Sequence, residues 1–240
     1  MDLGGLLDAA FRIYRNHFVV VVGATGLVVV PFVLVELATP AWASLWAALL
    51  GTLTPAVAAR VVGDLAVGDN PTIAGVWRLL AGRVLPLIVT GIMVGVAWIV
   101  GVILLIIPGI VFYVWFAFTS PVIVIEDKAY AGAMGRSRQL VKGSWWRVFG
   151  ILLLIALLVG LAEFALGIAL GGLILNGTIS LSSLETGEIL LQGVVQLLVS
   201  PIAALVVALL YFDQRLRREG TDIAAAVEAI EPQPLPPPVW

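Results

Sequence analysis

Apolar residues run through this chain in long tracts, and the breaks between them carry basic side chains, turn residues or both. The tracts predict membrane-spanning helices at 18–37, 41–62, 84–106, 109–125, 146–171 and 188–212. A helix needs roughly 20 apolar residues to cross a hydrocarbon core about 30 Å thick, and each tract approaches or exceeds that length. Thr39-Pro40 and Pro108-Gly109 predict turns near 38–40 and 107–109, and a more polar stretch predicts a longer connection at 173–187. Shorter segments carry a different period. Leu3, Leu6, Leu7, Ala10, Phe11 and Tyr14 follow 3, 4 spacing while Asp8, Arg12, Arg15 and Asn16 take the other face, which predicts an interfacial amphipathic helix. A second begins with Asn70 as cap and Pro71 at its first position. A third covers about 129–143, with Arg138 and Lys142 four apart on one face, an arrangement suited to phosphate. The fold class is all-α, a polytopic membrane helix bundle.

Charge sets the predicted topology. All 13 Lys and Arg residues fall in four clusters: Arg12 and Arg15; Arg60, Arg78 and Arg83; Lys128, Arg136, Arg138, Lys142 and Arg147; Arg215, Arg217 and Arg218. The intervals 16–59, 84–127 and 148–214 contain none, and each is long enough for two spans. Because cytoplasmic loops carry the Lys/Arg excess, the clusters and both termini are expected inside the cytoplasmic membrane, with the three turns outside.

Composition agrees, with 61% apolar and 12% charged residues against roughly 45–50% apolar in soluble domains. A net charge of −2 argues against nucleic acid. The expected partners are anionic headgroups of the inner leaflet, met by Arg12, Arg78, Arg83, Arg138 and Lys142, and a membrane protein partner is a further possibility. With no cysteine and a single histidine, His17, the chain offers no thiolate chemistry and no metal-spaced cluster, so no cofactor or metal is expected. The apolar run at 18–37 exceeds the roughly 7–15 residues of a signal-peptide core, and an uncleaved span is expected.

A shift of 66 residues brings Phe11-Arg12 onto Trp77-Arg78 and Thr54-Pro55 onto Ser120-Pro121; a stretched third copy has Arg138 and Ser200-Pro201 at the matching places. These matches predict three parallel-type repeats, about 3–66, 70–128 and 129–220, each an interfacial helix plus a helical hairpin. Together they form a six-span domain over 1–223, followed by a mobile Pro-rich cytoplasmic tail at 224–240. Pro55, Pro121 and Pro201 are expected to kink the returning spans, and Gly91 with Gly95, and Gly167 with Gly171, to allow close helix approach.

Ionisable residues within a span are costly, which makes Glu163 the first candidate for function. Gln192, Gln196 and Ser200, spaced four apart, form a polar stripe at similar depth, and a hydrogen bond from either amide to Glu163 is expected. This patch reads either as interhelical glue or as a cation, proton or substrate site. Glu36 is read as an exposed span end and His17 as interfacial; Glu126-Asp127 is expected to join a cytoplasmic ion-pair network, and Arg60 to pair with Asp64. Asn176-Gly177-Thr178 matches a glycosylation sequon.

Ile107-Pro108-Gly109-Ile110, the returning Phe118-Thr119-Ser120-Pro121 and the run Ala133-Met134-Gly135-Arg136-Ser137-Arg138-Gln139-Leu140-Val141-Lys142-Gly143-Ser144-Trp145-Trp146-Arg147 resemble the membrane domain found beside glycerophosphoryl diester phosphodiesterases. Leu6 to Asn16 and Tyr211 to Gly220 extend the resemblance over nearly the whole chain before the Pro-rich tail. The histidine- and metal-dependent barrel of those enzymes has no counterpart here, so the resemblance implies a membrane module without the enzymatic activity. The leading reading is a non-enzymatic accessory, scaffold or lipid-interacting protein. The competing reading is a small transporter or lipid translocator working through the Glu163 patch.

Overall fold

The computed structural model describes residues 3–39, 43–175 and 181–230; side chains are described for these except 43–50, 166, 170–175, 181–186, 188 and 221–230. Regular structure among the described residues is entirely helical. The helices are α1 (Leu3–Asn16), α2 (Phe18–Ala38), α3 (Ala43–Ala66), α4 (Ile73–Ala81), α5 (Val84–Leu104), α6 (Ile106–Trp115), α7 (Thr119–Glu126), α8 (Tyr130–Val141), α9 (Trp145–Leu175) and α10 (Leu181–Ile230). Five segments are long and apolar enough to cross a membrane: Phe18–Ala38, Val84–Leu104, Ile106–Glu126, Trp145–Ala169 and Ile189–Gly220. The sixth expected span falls on α3, a helix of 24 residues.

Sequence signals account for the helix ends near the basic clusters. The Thr72 hydroxyl accepts a bond from the Gly75 amide at 3.1 Å, so Thr72, rather than Asn70, caps α4, and Pro71 precedes the helix. Asp127 reverses the chain after α7 with φ 55°, and Tyr130 opens α8 with φ 53°. Non-glycine residues in this region cost on the order of 1–3 kcal/mol each, which the surrounding contacts offset.

Several predicted boundaries move. The turn between α5 and α6 is Leu105 alone, and Pro108 and Gly109 lie in the first turn of α6. Two segments approach closely there: a Cβ on Gly101 would stand 2.9 Å from the Gly109 Cα, and one on Gly109 would stand 3.1 Å from the Val102 amide nitrogen. Pro55 and Pro201 lie inside α3 and α10 as expected, and Pro31 lies inside α2 as well. Pro121 does not kink a continuous helix; it is the third residue of α7, after a break at 116–118. The longer connection expected at 173–187 contracts, because α9 reaches Leu175 and α10 starts at Leu181. α10 also runs to Ile230, past the expected start of the tail at 224. Residues 231–240 and the sequon lie outside the described residues.

The break is held by one side chain. Ser137 of α8 donates its hydroxyl to the Trp115 carbonyl at 2.7 Å and accepts the Phe118 amide at 3.1 Å. Thr119 returns its own hydroxyl to the Phe116 carbonyl at 2.7 Å. Groups that the interrupted helix leaves unpaired thus find partners, a requirement in apolar surroundings.

Burial follows chain order. α3 packs against α2, α5, α7 and α10, and the core residues Ala56 to Val62, Phe118 to Val124 and Ala204 to Tyr211 come from α3, α7 and α10. In Ile106–Glu126 and in Ile189–Gly220, 39% of the apolar window is buried, against 28%, 17% and 12% in α2, α5 and α9. The short helices α1, α4 and α8 press Leu6, Ala10, Val76, Leu80, Ala133 and Leu140 onto this core. The core therefore gathers at the end where the basic residues cluster, the basic end.

Candidate functional site

At the basic end, carboxylates and cations interlock three helices. Glu126, the last residue of α7, has a side chain only 8% exposed and accepts from the Arg136 Nε at 2.8 Å, Lys128 Nζ at 3.2 Å and the Tyr211 hydroxyl at 3.0 Å. Arg136 also reaches Glu219 of α10 at 3.0 Å, where Arg215 joins at 2.9 Å. Arg83 binds Asp127 at 2.8 Å, and Asp213 takes both Arg147 at 2.7 Å and Arg217 at 3.0 Å. The network foreseen for Glu126-Asp127 is present and ties α7, α8 and α10 together. Glu126 is the buried centre of this set, and losing Arg136 would leave its carboxylate short of a partner.

Arg60 and Asp64 pair one turn apart on α3. The Arg60 Nε is buried without a hydrogen-bond partner. This local pair thus adds little net stability.

Once these pairs are removed, a second set of cations stands apart. Arg12 lies 3.9 Å from Asp8 with 61% of its side chain exposed. Arg15, Arg78 and Lys142 are exposed and carry no ion pair to a described residue; Arg138, also exposed, lies 4.2 Å over the Trp115 ring. All lie on α1, α4 or α8 or at their ends. Of the residues expected to meet headgroups, Arg83 is paired with Asp127, and Arg15, which was not among them, makes no ion pair to a described residue. Lys142 caps the end of α8: its N–H still bonds the Arg138 carbonyl at 3.0 Å, which keeps it one turn beyond Arg138, and its ψ of 127° turns the chain away only after it.

Polar groups within the apolar helices divide differently from expectation. Glu163 is exposed on α9, and no hydrogen bond joins it to Gln192 or Gln196 among the described residues. Gln192 is exposed, Gln196 half-buried, and the Ser200 hydroxyl is buried with no partner, as is that of Thr54. The nearby α10 carbonyl of Leu198 instead accepts the Tyr14 hydroxyl of α1 at 3.0 Å, and the Ala24 carbonyl of α2 accepts Trp77 Nε1 of α4 at 3.0 Å. With Ser137 on Trp115, each short helix hands a side-chain proton to a main-chain carbonyl of a long apolar segment. Sequence periodicity gave no sign of these three bonds, whose partners are far apart in the chain. His17 precedes α2 half-buried, without a side-chain cap bond, and Glu36 is half-buried near the far end of the same helix. No protein family model, curated protein or solved structure matches this chain.

Proposed function

We propose that this chain is a six-span protein of the cytoplasmic membrane, built from three repeats with both termini inside, that holds anionic lipid at its cytoplasmic face as a non-enzymatic scaffold. In this reading α1, α4 and α8 are the interfacial helices of the repeats, and α3, α6 with α7, and α10 are the returning spans. One observation carries the reading: Arg15, Arg78, Arg138 and Lys142, which make no ion pair to a described residue, all lie on a short helix or at its end, whereas Arg83, Arg136 and Arg147 are held in ion pairs. A surface that exposes Arg12, Arg15, Arg78 and Lys142 at headgroup level offers phosphate ligands around the core. Transport through Glu163 has less support, because that carboxyl lies on the outward surface of α9 rather than against the Gln192 stripe.

Native mass spectrometry of the protein released from nanodiscs containing phosphatidylglycerol and phosphatidylcholine tests the reading. Replacing Arg12, Arg15 and Arg78 together with Gln is expected to reduce retained phosphatidylglycerol, by about 1 kcal/mol per charge. Arg83→Gln is expected to leave lipid retention unchanged and to lower the melting temperature. Unchanged phosphatidylglycerol retention in the folded triple variant sinks the proposal.

A further inference from the structure

A cavity of about 190 Å³ lies within the bundle between α3, α5, α6 and α7, closed by Leu152 of α9 and Val207 of α10. Its position is set by two helix-breaking prolines. Pro55 has no N–H to give the Gly51 carbonyl four residues earlier, and Pro121 has none for Ala117. Both Gly51 and Ala117 line the cavity. Two residues whose carbonyls lack their helical donors thus line one space, together with Thr52, Thr90, Thr119, Ser120 and Tyr113.

The wall presents both hydrogen-bonding senses and no charge. Thr119 gives its proton to the Phe116 carbonyl, so toward the cavity it accepts. Thr90 accepts the Tyr130 amide at 3.0 Å and keeps a proton to donate. Ser120 and Tyr113 make no hydrogen bond to another described residue and offer both senses. No Asp, Glu, Lys, Arg or His is among the described residues of the lining, and an unpaired ion there would carry the full desolvation cost. The remaining wall, with Leu87, Val94 and Ile123, is apolar.

We infer that this cavity binds the hydroxyl end of an uncharged, alcohol-bearing ligand. A single hydroxyl can both donate to Thr119 and accept from Thr90, Ser120 or Tyr113. At roughly 30 Å³ per water the space holds about six waters' volume, enough for a polar head and its first few carbons. Gly51 and Tyr113 are exposed at the mouth, Tyr113 to 53%, so the rest of a chain leaves toward the lipid-facing surface. This site is separate from the free cations of the basic end.

Four probes with one tail decide the class: dodecanol, dodecane, dodecanoate and dodecylammonium, added to the full-length protein in nanodiscs and read by thermal shift and native mass spectrometry. Ethylene glycol serves as a water-borne alcohol. Dodecanol is expected to be retained and to raise the melting temperature, while dodecane and the two ions are not. Thr119→Val with Ser120→Ala is expected to weaken dodecanol retention about tenfold, as loss of two intramembrane hydrogen bonds implies. If that pair fails to fold, Val94→Phe fills the cavity and must abolish retention. Stabilisation by ethylene glycol alone keeps the alcohol class and moves its source to the aqueous phase. Equal binding of dodecane, preferential binding of either ion, or undiminished dodecanol retention in a folded cavity variant overturns the inference.

Discussion

A single hydroxyl holds the interrupted segment 106–126 together. Ser137 is fully buried and serves the carbonyl before the break and the amide after it, so its removal leaves two main-chain groups without partners. Ser137→Ala is expected to cost about 1–2 kcal/mol, although it deletes one atom, because orphaned polar groups in apolar surroundings lose their full desolvation energy. Unfolding in mixed micelles by dodecyl sulfate measures it; a variant as stable as the parent would mean that water serves the break instead. The same scale shows what residue identity conceals. Arg78 and Arg83 come from one basic cluster, yet Arg83 meets Asp127, 44 positions away, and Arg78 meets no described carboxylate. Charge clustering marks where basic residues gather but says nothing about which of them fold onto an acid.

At the scale of helices, positions with strong local signals were legible. The expected starts at 18, 84 and 146 match α2, α5 and α9 within a residue, because a basic residue beside an apolar run marks a boundary chemically. Positions decided by what lies opposite were not legible. Gly91 faces Thr52 closely as its spacing suggested, but Gly95 and Gly167 face open space, and the tight approaches fall at Gly101 and Gly109. A glycine's spacing records where a helix is small, not where a neighbour comes near. Gly101→Ala and Gly109→Ala are each expected to destabilise by about 1–3 kcal/mol, since backbone atoms have no room to yield. Gly95→Ala and Gly160→Ala, with nothing within 4 Å, should be neutral or stabilising by up to about 1 kcal/mol. Thermal scans of the four variants separate the pairs, and equal melting temperatures would refute the close hairpin.

Across the whole molecule, the proposed orientation makes a direct prediction in a chain without cysteine. A cysteine at Leu105, exposed at the α5–α6 turn, should react with an impermeant maleimide added outside intact cells; one at Lys142 should react only after permeabilisation. The reverse pattern would turn the protein over. Five helices are long and apolar enough to cross a membrane, and what the apolar pattern left hidden was which helices would be central. The buried ones each follow a more exposed partner in the chain: α3 after α2, α6 and α7 after α5, α10 after α9. For biosynthesis this order has a consequence. The ribosome delivers first a helix content to face lipid and then one that depends on protein neighbours, so each pair can enter the bilayer as a hairpin, and the second member need never wait alone in hydrocarbon. The central trio of α3, α7 and α10 is completed only when α10 emerges, which makes α10 its closing stave.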